Sequence, residues 1–322
     1  TQYMANPEKY PHLTSDFSQN VIQYRALVFQ GNEKERGGRA MEDRYISFRG
    51  LTLHYQLMRP RGAVRHRALL IPAPGESCLN WRPLLPELMR AGCLCVIVDL
   101  PGFGKSMCGE GVPHRQDTRA QLLWGILDQV DGEFTGQVCR WNLIGHGSGA
   151  GTAMMMALLQ PDSCASLTLI TPILRAVVPA FLRPLVRSRL GERMLRGLYG
   201  RYIYNRPRFH KLMRSLYGCE LPMGYLDNIQ APLRRHGSDQ ALGRLLLNGY
   251  PLPERAFSIW APVMVLWSEG DRMLGCAPPK WMRRALPQAE FHTLRFAGHY
   301  PVETDAGAVR DYLRGWIRDM WA

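Results

Sequence analysis

A chain of 322 residues with 46% apolar and 10% aromatic residues can bury a large core, which argues against intrinsic disorder. Its formal net charge of +13 suits nucleic acid, an anionic membrane or acidic ligands, but no nucleic-acid module is visible and the excess is not a charged tail. No apolar run reaches the roughly 18 to 20 residues of a membrane span.

Residues 1–43 read as a polar N-terminal arm with at most one short helix, Val21 to Phe29, and no signal-peptide pattern. Arg44 to Phe48 and Leu51 to Met58 flank Gly50 as an antiparallel hairpin. From Ala68 apolar runs alternate with helical stretches. Ala68 to Ile71, Cys93 to Val98, Val138 to Ile144 and Leu167 to Ile170 predict strands. Trp81 to Arg90, Gln116 to Val130 and Thr152 to Leu159 predict helices. That rhythm predicts a parallel, doubly wound sheet buried on both faces. It breaks between Pro172 and Ser258, a basic and aromatic segment of helical spacing holding 15 Lys/Arg against 5 Asp/Glu. It then resumes with strands at Val263 to Trp267 and Phe291 to Phe296, and helices at Pro279 to Leu286 and Ala306 to Trp321. Eight cysteines show no C-x2-C pair and no spacing with histidine, so neither metal nor cofactor is expected and a reducing, cytoplasmic compartment is the simpler reading.

The organising stretch is Gly145-His146-Gly147-Ser148-Gly149, between the strand ending at Ile144 and the helix beginning near Thr152. A strand, a glycine-dense turn and a helix resemble the nucleophile elbow of the α/β-hydrolase superfamily, G-x-S-x-G. Gly145 and Gly149 match the outer glycines and His146 occupies the first x, but Gly147 stands where the nucleophilic serine belongs. Asp271, after the Val263–Trp267 strand, and His299, in Gly298-His299-Tyr300, match the loops and chain order of the family's triad acid and base. Glu269 and Glu303 fit the acid's place less well. A carboxylate on one imidazole nitrogen fixes the tautomer and stabilises the cation formed at the other.

The resemblance spans residues 44–322 and implies an α/β-hydrolase core (44–171 and 259–322) with a helical cap (172–258) inserted after the sixth strand. Asp99 to Ser106 is similar to the family's D-x-x-G-x-G-x-S turn and is given no catalytic role. Counting back from Trp81, Pro72-Ala73 replaces the family's His-Gly, and Pro74, with no N–H, takes the oxyanion-donor position. An alternative register through Pro74-Gly75 makes Glu76 the donor. Ser148 is expected to turn into the helix N-terminus. Cys78, in the same loop as Ala73, is a candidate for lining the cleft, as are His146 and Tyr300.

Three functional readings follow. The chain is of ester-hydrolase lineage, acting on a hydrophobic acyl substrate, with Gly147 an inactivating or altering replacement. Alternatively the His299–Asp271 pair serves as general base for lyase-type or cofactor-free chemistry without a covalent nucleophile. In the third reading the chain is a non-catalytic binding protein, similar here to the N-myc downstream-regulated family, which also has glycine for the elbow serine. The basic face that includes Arg183, Arg187 and Arg193 suits an anionic carrier or a membrane surface, giving a cytoplasmic protein peripheral to a membrane, or is merely a solvated surface.

Overall fold

The computed structural model describes residues 41–48, 50–109, 111–134, 140–175, 180–248, 258–295 and 297–321. The expected helix over 21–29 lies outside them. Strands β1 (Glu42–Phe48) and β2 (Leu51–Met58) form the hairpin, turning at Gly50 with φ 80°. The strand therefore begins inside the segment expected to be arm. After β3 (His66–Ile71) comes a 3-10 turn, Cys78–Leu84, running into helix α1 (Leu85–Arg90). A continuous α-helix over Trp81 to Arg90 would hold Pro86 in its interior, where the missing N–H costs a hydrogen bond; in α1 the same proline falls in the first turn, where none is needed. Strand β4 (Cys93–Val98), helix α2 (Gln116–Gly132), β5 (Trp141–His146), α3 (Ser148–Leu159) and β6 (Cys164–Ile170) follow. Between β6 and the next strand lie α4 (Arg183–Arg187), α5 (Arg189–Tyr199), a π-helical turn over Gly200–Tyr204, α6 (Arg206–Tyr217), α7 (Met223–Leu233) and α8 (Ser238–Asn248). The chain returns with β7 (Val263–Ser268), α9 (Lys280–Ala285), β8 (Glu290–Leu294), α10 (Pro301–Thr304) and α11 (Ala306–Met320).

The eight strands form one sheet in the order β1-β2-β4-β3-β5-β6-β7-β8. Strand β2 runs antiparallel to β1 and β4, and every other pairing is parallel. This is the α/β-hydrolase fold. Side chains alternate between two cores, as a period of two demands. Leu69, Ile71, Val96, Val98, Val263 and Val265 face the layer of α2 and α3. Ala68, Leu70, Cys93, Cys95, Met264 and Leu266 face the layer of α1 and α11. The cysteines of β4 are thus small apolar side chains among others. The helices between β6 and β7 enclose a third cluster that includes Phe209, Met213, Tyr217 and Tyr225.

Candidate active site

Three loops that leave the carboxyl ends of parallel strands converge beside β3, where ligands of open α/β sheets are held. The first follows β5. Gly147 has φ 54° and ψ −118°, a conformation that ordinary side chains reach only under strain and that turns the chain abruptly into α3. Its neighbours are small because the turn is crowded. A methyl at Gly145 would fall 2.6 Å from the Ala150 Cα, and one at Gly149 would fall 2.5 Å from the Pro72 carbonyl oxygen.

The second and third loops carry the acid and the base. The His299 Nδ1–H donates to Asp271 Oδ2 at 2.7 Å, and Asp271 Oδ1 accepts the N–H groups of Met273 (2.8 Å) and Leu274 (3.0 Å). Both side chains are buried. Burial alone would raise the Asp271 carboxyl, but the His299 hydrogen bond and the two backbone donors outweigh it and hold the group below its usual range. Burial pushes His299 down despite the Asp271 bond, which leaves it neutral near pH 7 with Nε2 unprotonated. Nε2 forms no hydrogen bond among the described residues. A Cβ at position 147 would lie 3.5 Å from it. The imidazole is therefore aimed at the place where a side chain at position 147 would stand.

Beneath this pair is a second buried one. His146 Nδ1 lies 2.8 Å from Glu76 Oε1, and its Nε2–H donates to the His299 carbonyl at 2.7 Å. Both neighbours of the ring are acceptors. Burial would lower His146, but the Glu76 carboxylate more than compensates and raises it, favouring the imidazolium. The other oxygen of Glu76 accepts the Ala73 N–H at 2.5 Å. The Thr171 hydroxyl, on a residue with φ 37°, also donates to the His299 carbonyl (3.0 Å). Finally, the His299 N–H donates to the Leu216 carbonyl at the end of α6 (2.7 Å). The approach is possible because residue 298 is glycine: a methyl there would meet the Tyr217 carbonyl oxygen at 2.5 Å. Tyr300 stacks on Tyr217 with ring centroids 4.4 Å apart. The loop of His299 is thus gripped from the core by His146 and Thr171 and from above by α6.

Several expectations are revised by this geometry. Cys78 does not line the cleft. It is buried, its thiol donates to the Ile97 carbonyl at 3.2 Å, and burial with the nearby Asp99 charge raises it well above the usual thiol range. Its Sγ, His54 Nδ1 and an Asp99 oxygen lie within 4.8 Å of one another. They serve the 99–106 turn, where Asp99 accepts His54 Nδ1–H (2.7 Å) and the backbone N–H groups of Cys78 and Lys105 (both 2.8 Å). A metal ion there would have to replace bonds already made. Glu76 cannot supply an oxyanion donor either, since its N–H donates to the Ala73 carbonyl at 3.1 Å. Pro74-Gly75 forms the turn between those two residues, with Gly75 at φ 90°. Ser148 is fully buried at the first position of α3, but its hydroxyl finds no partner among the described residues instead of capping the helix. His146 is enclosed with Glu76 and does not border open space.

One contact was not legible in advance. The Ala73 methyl lies 3.0 Å from where a Cβ at 147 would be, inside normal van der Waals distance. From the sequence, Glu76 is likewise only an alternative oxyanion donor and Glu303 only a poorer candidate for the acid. The available signal was a lone carboxylate in an otherwise apolar loop. Of the basic residues, Arg193 is exposed on α5; Arg183 and Arg187 bound α4, and their side chains lie outside the described set.

An acid and a histidine on the loops after β7 and β8 thus stand beside a sharp turn after β5 that has glycine at its centre. The chain belongs to the alpha/beta hydrolase family, whose model matches residues 68–312. Its relatives are hydrolases. A 2-hydroxy-6-oxononadienedioate/2-hydroxy-6-oxononatrienedioate hydrolase of Paraburkholderia phymatum is 28% identical over 265 residues, 78% of this chain and 85% of that protein. The uncharacterized hydrolase YugF of Bacillus subtilis is 22% identical over 84% of this chain and 95% of its own. Among solved structures, a bacterial membrane phospholipase A superposes with TM-score 0.71 at 21% identity, over 97% of this chain and 93% of that one. Epoxide hydrolase A of Mycobacterium thermoresistibile gives 0.67 at 20%, over 87% and 99%. These structural likenesses concern the fold. No helix among the described residues is long and apolar enough to cross a membrane.

Proposed function

We propose that the protein descends from a nucleophile-bearing, ester-hydrolase-like ancestor and now uses His299 and Asp271 directly as a general base. Its substrate is a hydrophobic, carbonyl-bearing small molecule held between the elbow and the helices over it. The observation that carries this reading is His299 Nε2, without a hydrogen bond among the described residues and aimed at the side-chain position of Gly147. A water bound there would give its proton to Nε2 while its oxygen adds to the substrate carbonyl, and the imidazolium would return the proton to the leaving group. Asp271 stabilises that imidazolium. No acyl-enzyme forms in this scheme.

The departures at Ala73 and Pro74 support it. A covalent mechanism would need space at 147 and a loop donor for the oxyanion, and the first is narrowed while the second is absent. The Paraburkholderia relative is named for a keto-enol dicarboxylate that contains no ester, and a substrate of that kind fits direct general-base chemistry as well as an ester does. A nucleophile-bearing ancestry is supported by a separate observation: the strand, sharp turn and helix around Gly147 keep the arrangement of a nucleophile elbow.

The test is single-turnover kinetics on a panel of activated esters and 1,3-diketones. Turnover without a burst, abolished by His299→Ala and reduced by Asp271→Asn, is expected. A stoichiometric acyl adduct on Ser148, seen by mass spectrometry, would overturn the scheme. Absence of turnover across the panel, with substrate-like ketones still binding, would favour the non-catalytic reading.

A further inference from the structure

Helix α5 carries an apolar row that nothing among the described residues covers. Leu190, Met194 and Leu198 follow one another at every fourth position and so share one face. They are 62%, 57% and 50% exposed. Leu195, off that row, turns inward towards α8, where its Cδ1 lies 3.7 Å from the Cβ position of Gly243. Just before α5, Phe181 (79% exposed) and Leu185 (54%) are open as well. Isolated exposed leucines are ordinary, but a succession of them on neighbouring short helices marks an interaction surface.

The charges beside the row are all of one sign. Exposed Arg193 borders the row beside Leu190, exposed Arg189 lies one turn before Arg193 and further round the helix, and exposed Arg201 follows the helix. Among the described residues these three arginines form no ion pair. Arg196, further round, is held by Asp239 at 3.6 Å. Glu192, the one acid on α5, lies on the side away from the apolar row.

We propose that this face docks in the plane of an anionic lipid surface, with the leucine and methionine row entering the acyl boundary and Arg189, Arg193 and Arg201 pairing with headgroup phosphates. An amphipathic helix with an apolar stripe edged by arginine is the pattern that lies in such an interface. A second copy of the chain fits less well, because a symmetric contact would bring the same arginines against one another. An acidic carrier protein would use the arginines but would leave the apolar row without a partner. The proposal stands apart from the catalytic reading, and the test needs no substrate.

The full chain is floated with vesicles of phosphatidylcholine alone and of phosphatidylcholine with phosphatidylglycerol, at low and high salt. Binding to the anionic vesicles only, weakening as salt rises, is expected. Each arginine near the surface contributes about fivefold to partitioning, so Arg189→Gln/Arg193→Gln/Arg201→Gln should lose roughly a hundredfold. Leu190→Ser/Met194→Ser/Leu198→Ser should also lose binding, and because all six positions are exposed neither variant should change the melting temperature. In a Leu190→Trp variant the emission should shift to the blue on anionic vesicles, reporting entry below the headgroups. Equal binding to neutral vesicles, or none to either, overturns the proposal. So does a concentration-dependent dimer that the serine variant abolishes, which would assign the face to a second copy. Salt-sensitive capture of an acyl-carrier protein without vesicle binding would assign it to a protein partner.

Discussion

A hydroxyl introduced at position 147 tests the geometry of the site directly. A serine at 147 would place its Cβ 3.5 Å from His299 Nε2, and the oxygen one bond further can reach the 2.6–3.2 Å range, roughly, of an activated nucleophile. Two costs oppose it. Holding a side chain at φ 54°, ψ −118° strains the backbone by about 1–3 kcal/mol. The Ala73 methyl, 3.0 Å from the new Cβ, adds overpacking of about 1–3 kcal/mol, because a methyl bonded to the backbone cannot swing away. Gly147→Ser alone is therefore expected to lower stability markedly and to react slowly with a fluorophosphonate. Combined with Ala73→Gly it should recover the overpacking share of the stability and label quickly. Even then, turnover of activated esters should stay low, since Pro74 offers no N–H, and one absent oxyanion donor costs about 10²–10³ in kcat. Adding Pro74→Ala should return much of that factor. The assay is labelling rate and ester kcat for the parent chain and the three variants, with thermal melts beside them. A folded Gly147→Ser/Ala73→Gly protein that takes no label would refute the claim that Nε2 faces position 147, and the general-base reading with it.

Two further outcomes follow from the contacts around the His299 loop. Burial, with the Glu76 charge nearby, raises Glu303 from 4.5 to about 7 even though Tyr225, Asn80 and Tyr217 donate to it. The folded chain then holds this proton more tightly than the unfolded one, so the contribution of Glu303 to stability is fully present below about pH 4.5 and is lost as pH rises to about 7, by about 3 kcal/mol. Glu303→Gln mimics the protonated acid: above about pH 8 it should unfold at higher denaturant than the parent, and near pH 4 the two should coincide. A parallel pair of stability curves would show that Glu303 does not titrate in the fold. Gly298→Ala should drive the end of α6 away from the base, because its methyl would meet the Tyr217 carbonyl oxygen at 2.5 Å. The expected loss is about 1–3 kcal/mol of stability together with a fall in any His299-dependent turnover. An unchanged melt would mean that α6 is not pressed against this loop.

Much of the architecture is written in local pattern. Strands β3, β4, β6 and β7 announce themselves as apolar runs because both faces of a parallel sheet are covered, and β4 was expected at its observed bounds. The glycines around residue 147 mark a turn too tight for side chains, and Asp271 and His299 follow their strands closely enough to be placed in chain order. Such features depend on residues near one another in sequence. Helix bounds were less legible: the run from Trp81 to Arg90 has helical spacing, but it divides into a 3-10 turn and a short helix that places Pro86 in its first turn.

What tertiary structure alone decided are contacts between residues far apart in the chain. That Ala73 crowds position 147, that Glu76 holds both His146 and the Ala73 N–H, and that Cys78 belongs under the 99–106 turn depend on which loops the sheet order brings together. The hold of α6 on the His299 backbone needs Gly298 and the Leu216 carbonyl at one point in space, though 82 residues separate them in the numbering. Likewise the basic and apolar residues of α5 could be counted from the sequence, but a helical stripe faces either a core or the surroundings, and burial elsewhere decides which. Here the inward row is taken by α8, so Leu190, Met194 and Leu198 are left facing out.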